Sequence, residues 1–287
     1  VMVSSLPSVP VLSNRPDSKG KVRKVAAMPD PDISEVRFSQ PVQDVLQGLG
    51  LLSRLPVRVN VESAKERGAA ASWAWPLAGA LLGLIAAVAA SLSLWLGLGA
   101  GIAAALVIAV QVICTGAMHE DGLADSADGL WGGYDRDRRL EIMKDSRIGT
   151  YGVLALVLAM ILRWSALSAL LATGHVWGAL IGVAAISRAP MAALMAWLPA
   201  ARPSGLSQGV GQPSQDTVRF GFIAAGLVGF VCLGLTVVPV AAFVAATAFA
   251  AGRIAHDKIG GQTGDILGAT QQLSEIAALA VLVALWV

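Results

Sequence analysis

From Trp73 to Val287 the chain is a succession of apolar runs, each close to the roughly 20 residues a helix needs to cross the hydrocarbon of a bilayer. The runs are expected at Trp75–Leu96, Gly99–Gly116, Tyr151–Ala172, Val176–Leu198, Phe220–Val238, Pro239–Ile254 and Ile266–Val287. The sixth is the least regular, being short and following Pro239 closely. Composition agrees. Hydrophobic residues make up 55% of the 287 and charged residues 14%, against roughly a quarter charged in an ordinary soluble domain. A single soluble core stops growing near this size, so the surplus of apolar surface needs lipid as its solvent. The fold expected is an all-α, polytopic membrane helix bundle of about seven transmembrane helices.

The joints between the runs differ by side. Those around Gly97–Ala100, Thr173–His175 and Val237–Pro239 carry no Lys, Arg, Asp or Glu. The opposite side receives Met118–Thr150, Pro199–Arg219 and Ala255–Asp265, with Arg136, Arg138, Arg139, Lys144, Arg147, Arg202 and Lys258. The positive-inside rule places that side in the cytoplasm and the protein in the cell (inner) membrane, in contact with membrane lipid.

Residues 1–36 read differently. Pro7, Pro10, Pro16, Pro29 and Pro31 interrupt them and no apolar period runs through them, so a disordered extension is expected, with no signal peptide to be cleaved. Residues 37–287 form the membrane-embedded domain. Phe38–Val59 looks like a short amphipathic helix on the membrane surface, ending at Arg54-Leu55-Pro56. The net charge of +2, with no basic run, excludes a nucleic-acid partner. Cys114 and Cys232 lie far apart in apolar stretches, without metal-type spacing, and no disulfide is expected between them.

The segment Met118–Gly133 reads MHEDGLADSADGLWGG. At about 100° per residue, Asp121, Asp125 and Asp128 fall in a narrow arc on one helix face. Carboxylates stacked in this way repel unless a cation lies between them, and oxygen ligands suit Mg²⁺ or Mn²⁺ better than zinc. Glu120, Asp121, Asp125 and Asp128 are the candidate ligands, and Gly122 and Gly129 leave the face open to a phosphate. The plainer reading is a solvated acidic loop that caps the next helix. Such a loop would not need helical register, small residues between the acids, or a place at the end of a membrane run.

Further along, Lys144, Ser146 and Arg147 are natural phosphate donors, and Asp145 could join the metal or orient Arg147. The stretch Arg253–Asp265 is glycine-rich, so backbone N–H groups near Gly261 could cradle an anion beside Arg253, Lys258, Thr263 and Asp265. Arg188 and Glu275 lie inside apolar runs, where a charge is a functional candidate by default. Arg163 is intramembrane too and reads as often as a structural partner. His119 flanks the acids and His175 faces the other side.

Three runs, H-E-D-G-L-A-D-S-A-D-G-L (His119–Leu130), K-D-S-R-I-G-T-Y-G (Lys144–Gly152) and G-G-Q-T-G-D-I-L-G-A (Gly260–Ala269), resemble those of the cobalamin synthase family. Ser53–Pro56, Trp75–Gly83, Ser187–Met191 and Pro199–Leu206 match in the same order, so the resemblance covers roughly residues 38–287. It implies a Mg²⁺-dependent integral membrane transferase that joins adenosylcobinamide-GDP to α-ribazole, or its 5′-phosphate, releasing GMP. On that reading Asp121, Asp125 and Asp128 hold the metal, with Asp121, Asp145 and Asp265 as the acids of catalysis. Lys144, Ser146, Arg147, Arg188, Arg253, Lys258, Gly261 and Thr263 would face phosphate. The acidic run is also similar to the metal motif of CDP-alcohol phosphotransferases, but Asp125 stands where those enzymes usually carry arginine. Phospholipid head-group synthesis is therefore the alternative, and a transporter built on Arg188, Arg253 and Glu275 is a third reading. A homo-oligomer is left open.

Overall fold

The structure is a computed structural model and describes Ser39–Val287; the extension expected over residues 1–36 lies outside the described residues. Thirteen helices follow in order: α1 (Gln40–Leu52), α2 (Val61–Arg67), α3 (Trp75–Trp95), α4 (Ala100–Thr115), α5 (Met118–Gly132), α6 (Arg136–Ile142), α7 (Thr150–Ala172), α8 (Trp177–Ile186), α9 (Ala189–Trp197), α10 (Leu206–Val210), α11 (Gln215–Leu233), α12 (Val237–Ile259) and α13 (Gly264–Trp286). Among the described residues extended pairing is limited to one isolated bridge, Ala200 with Gln262.

Every apolar run expected from sequence is helical, and the chain is a polytopic helical membrane protein. Five stretches are by themselves long and apolar enough to cross, and the bent pair α4–α5 makes a sixth. One of the five, Gln215–Ile259, is 45 residues long, about twice what hydrocarbon requires. It folds back at Gly234, a left-handed residue opening a short 3₁₀ turn. Trp197 bonds Gln215 at the start of α11, Ile186 lies against Gly229 near its end, and Leu194 meets Gly252 on the returning α12.

Burial separates the helices into inner and outer. In the 18-residue apolar window of the Trp177–Trp197 stretch 94% is buried, against 22% in the corresponding windows of α7 and of Gln215–Ile259. Leu154, Leu158, Ile161 and Leu162 on α7, and Phe222, Ile223, Leu227 and Phe230 on α11, are exposed. In water such a surface would be a liability; against lipid tails it is the expected exterior.

Helices α3 and α8 approach closely because glycines face the contact. A Cβ at Gly79 would strike the Ala184 carbonyl, and one at Gly83 the Leu180 carbonyl, so small residues allow the contact that drives helix association in lipid. Around them Ala86, Ala90, Ala103, Val107, Leu167, Leu180, Val183 and Leu279 form the largest apolar core. The amphipathic segment expected near the N-terminus is α1, but it does not merely rest on the membrane. Leu49 and Leu52 are buried, and Leu49 packs with Ala78 and Leu82 of α3. The span expected at Val176–Leu198 is broken at Ser187–Arg188, between α8 and α9.

Candidate active site

The acidic run is the helix α5, as its register required. Gly116 and Ala117 both adopt left-handed conformations, which turn α5 by 89° away from α4. Helix α5 runs alongside the first half of α7: Glu120 bonds Arg163, Leu123 packs with Ala159, and Asp128 meets Gly149 and Gly152. A Cβ at Gly122 would come within 2.8 Å of the Asp265 carbonyl oxygen, so this glycine brings α5 against the start of α13.

Asp121 is exposed, Asp125 half-buried and Asp128 buried. Asp125 stands among the negative charges of Asp121, Asp265 and Asp128, with Arg202 opposite. That crowding is what a cation would relieve. Asp128 is held differently: its carboxylate accepts from Gly149 N at 2.7 Å and Gly152 N at 2.8 Å, which caps α7 where the helix dipole favours negative charge. Asp265 accepts from Arg202 and from the Thr263 hydroxyl.

The surrounding loops are tied together by arginines and carbonyls. Arg136 donates to Ile259 O and Ala201 O, and Arg139 to Gly133 O and Lys258 O. Gln262 N donates to Pro199 O at 2.9 Å, and Ala201 N to Gln262 O at 2.8 Å. Thus the ends of α5 and α12 and the starts of α7 and α13 meet at one end of the bundle.

The candidate site residues divide accordingly. Asp121, Asp125, Asp128 and Asp265 are brought together. Lys144, Asp145, Ser146 and Arg147 are exposed on the loop that leads to Gly149, where Asp145 accepts from Arg147 N. Three residues expected to face phosphate also have structural partners. Lys258 donates to Leu130 O at 2.7 Å and lies over the Trp131 ring, so it closes the C-terminal end of α5. Thr263 caps α13 by accepting from Ile266 N, and Gly261 is buried where a Cβ would strike the Pro199 carbonyl. Arg253 is exposed and pairs with Asp257.

Glu120 and Arg188 face away from this cluster into a buried polar network. Arg163 donates to Glu120 at 3.0 Å, to Gln272 at 3.1 Å and to Gln111 at 3.0 Å, and pairs with Glu275 at 2.9 Å. Glu120 is therefore the partner of an arginine, turned away from Asp121. Arg188 donates to Ala184 O at 2.7 Å, and one small cavity is lined by both arginines, both glutamates and His119. The pairing of Glu275 with an arginine and the structural role of Arg163 follow the sequence reading. Arg202 joins the cluster through Asp265, and Gln271 and Gln272, two glutamines inside an apolar run, mark a buried polar layer.

Among the described residues no three His, Cys, Asp or Glu side chains stand close enough to hold a metal by themselves. That arrangement still suits Mg²⁺, which keeps several waters and takes one or two carboxylates plus substrate phosphates more often than an all-protein cage.

Comparison with known proteins places these features. The family model described as cobalamin-5-phosphate synthase matches residues 44–283. The chain belongs to the cobalamin-5-phosphate synthase family. It is 44% identical over 247 residues to the adenosylcobinamide-GDP ribazoletransferase of Bradyrhizobium diazoefficiens, covering 84% of this chain and 93% of that protein. It is also 44% identical over 250 residues to the protein of the same name from Brucella ovis, covering 83% and 95%. No solved structure matches it. The match to the cobalamin-5-phosphate synthase family spans all three motif runs and every residue of the cluster just described.

Proposed function

We propose that this chain is an adenosylcobinamide-GDP ribazoletransferase, acting with Mg²⁺ at the cytoplasmic end of the bundle in the cell membrane. The observation that carries the reading is the convergence of Asp121, Asp125 and Asp265 with Arg202 where α5 meets α13. Family membership and the relatives' shared name supply the substrates.

The reaction is a displacement at phosphorus. A hydroxyl oxygen of α-ribazole, or of its 5′-phosphate, bonds to the phosphorus attached to cobinamide. The bond from that phosphorus to the oxygen of the GMP phosphate breaks, and GMP leaves with the electron pair. When bound, Mg²⁺ would neutralise the diphosphate and the leaving phosphate. Asp121 and Asp125 present the open carboxylates that would hold it, while Asp128 fixes α5 against α7 and shapes the face. The exposed Lys144, Ser146 and Arg147 hold phosphate oxygens from the loop above Gly149. Asp265 takes the proton of the attacking hydroxyl. It is favoured over Asp145 because Arg202 and Thr263 hold it in one orientation, whereas Asp145 is exposed. No serine or cysteine is placed beside a base in this cluster, so direct attack is the reading adopted.

The test uses the full-length protein in membranes with adenosylcobinamide-GDP, with and without α-ribazole and Mg²⁺. GMP release that requires both is expected. Transfer to a diacylglycerol-type alcohol instead of α-ribazole would overturn the proposal.

A further inference from the structure

Beside the acids, the same end of the bundle opens into a cavity of ≈ 140 Å³. One side of its wall is apolar, with Leu52, Trp75, Met118, Met191, Met195 and Leu267. Arg202, Ser204, Ser207, Gln262, Thr263 and Asp265 line it as well, so the cavity and the candidate active site share a mouth. His119 reaches it from α5, is buried, and has no hydrogen-bond partner at Nε2.

We propose that this cavity receives the base of the nucleoside substrate and so decides which nucleoside can attack. This rests on the ribazoletransferase reading. A dry cavity of about 150 Å³ holds benzene, so this one, open at its mouth, takes a flat ring system and not a corrin. Two flat groups occur in the reaction. Guanine carries donors and acceptors around its edge, and against these six side chains most would be buried without partners. The base of ribazole is a dimethylated benzimidazole, whose single free ring nitrogen is its one acceptor once the other bears the sugar. Methionine sulfur packs well on aromatic faces and adapts to their outline. Among the buried residues of the wall, His119 supplies an imidazole able to bond the ring nitrogen. With the base inside, the ribose sits at the mouth, and its hydroxyl lies beside Asp265. A few polar groups in an apolar pocket are how such sites fix orientation.

The experiment measures binding and turnover in full-length protein in detergent, using α-ribazole and adenosylcobinamide-GDP as probes. Met195→Trp fills the cavity. It is expected to weaken calorimetric binding of α-ribazole and raise its KM by about tenfold or more, while KM for adenosylcobinamide-GDP stays within about twofold of wild type. A shift confined to adenosylcobinamide-GDP, or equal for both, overturns the proposal. Met191→Ala, read if Met195→Trp does not fold, enlarges the cavity. It should move the preference by about tenfold toward a nucleoside with a larger, naphthimidazole-type base, and an unchanged preference overturns the proposal. If wild-type protein turns over no ribazole, the ribazoletransferase reading itself fails. α-Ribazole binding that Met195→Trp abolishes would still support the cavity in that case, and binding left intact would sink it.

Discussion

Arg163 Nη2 stands 2.9 Å from Glu275 Oε1, and both side chains are buried. The same guanidinium bonds Glu120, so one arginine answers two glutamates on α5 and α13. In Arg163→Leu both carboxylates would lose this partner away from water, at a cost of about 3–5 kcal/mol. The expected outcome is early loss of the folded peak when detergent-solubilised protein is heated before size exclusion. Arg163→Lys keeps the charge but not the planar fork that reaches both acids, and should fall between. A wild-type melting profile for Arg163→Leu would remove this network from the account.

Asp128 is assigned to capping as well as to the acidic face, and the two roles separate by substitution. Asp128→Ala loses the acceptor for Gly149 N and Gly152 N and should cost about 1–2 kcal/mol of stability. Asp128→Asn keeps one acceptor oxygen and should melt closer to wild type. Activity in Asp128→Asn then reads the charge alone. Retained GMP release would leave the residue a helix cap only.

Gly261 is required by position. A side chain there would meet the Pro199 carbonyl that accepts from Gln262 N. Gly261→Ala should break this pairing, cost about 1–3 kcal/mol and lower activity by displacing Arg202, two residues from Ala200 in the same loop. Limited proteolysis of the Pro199–Gly205 loop checks it: cleavage should quicken in the variant, and an unchanged rate would show that the loop tolerates a Cβ.

The helices were legible because each apolar run reports its own length, and α5 because its acids repeat at helical spacing. What sequence spacing could not carry was partnership. Glu120 and Asp121 are neighbours in the chain but point a quarter-turn apart, so one is buried against Arg163 and the other faces solvent. Lys258 looked like a phosphate ligand because it sits among glycines, yet the nearby end of α5 offers it a carbonyl. Arg202 gained its role only when the fold set it beside Asp265. The break at Ser187–Arg188 was equally hidden, since Arg188 interrupts neither the length nor the apolar character of its run by much.

The central claim is that the open carboxylates of α5 support phosphoryl transfer. The most direct measurement is GMP release from adenosylcobinamide-GDP, with α-ribazole and Mg²⁺ present, by wild type and by Asp121→Asn inserted to the same level in membranes. Asp121 is exposed and its loss should leave the fold intact. Release by Asp121→Asn should fall about 100-fold or more, whereas near-wild-type release would leave the α5 carboxylates without a part in the transfer.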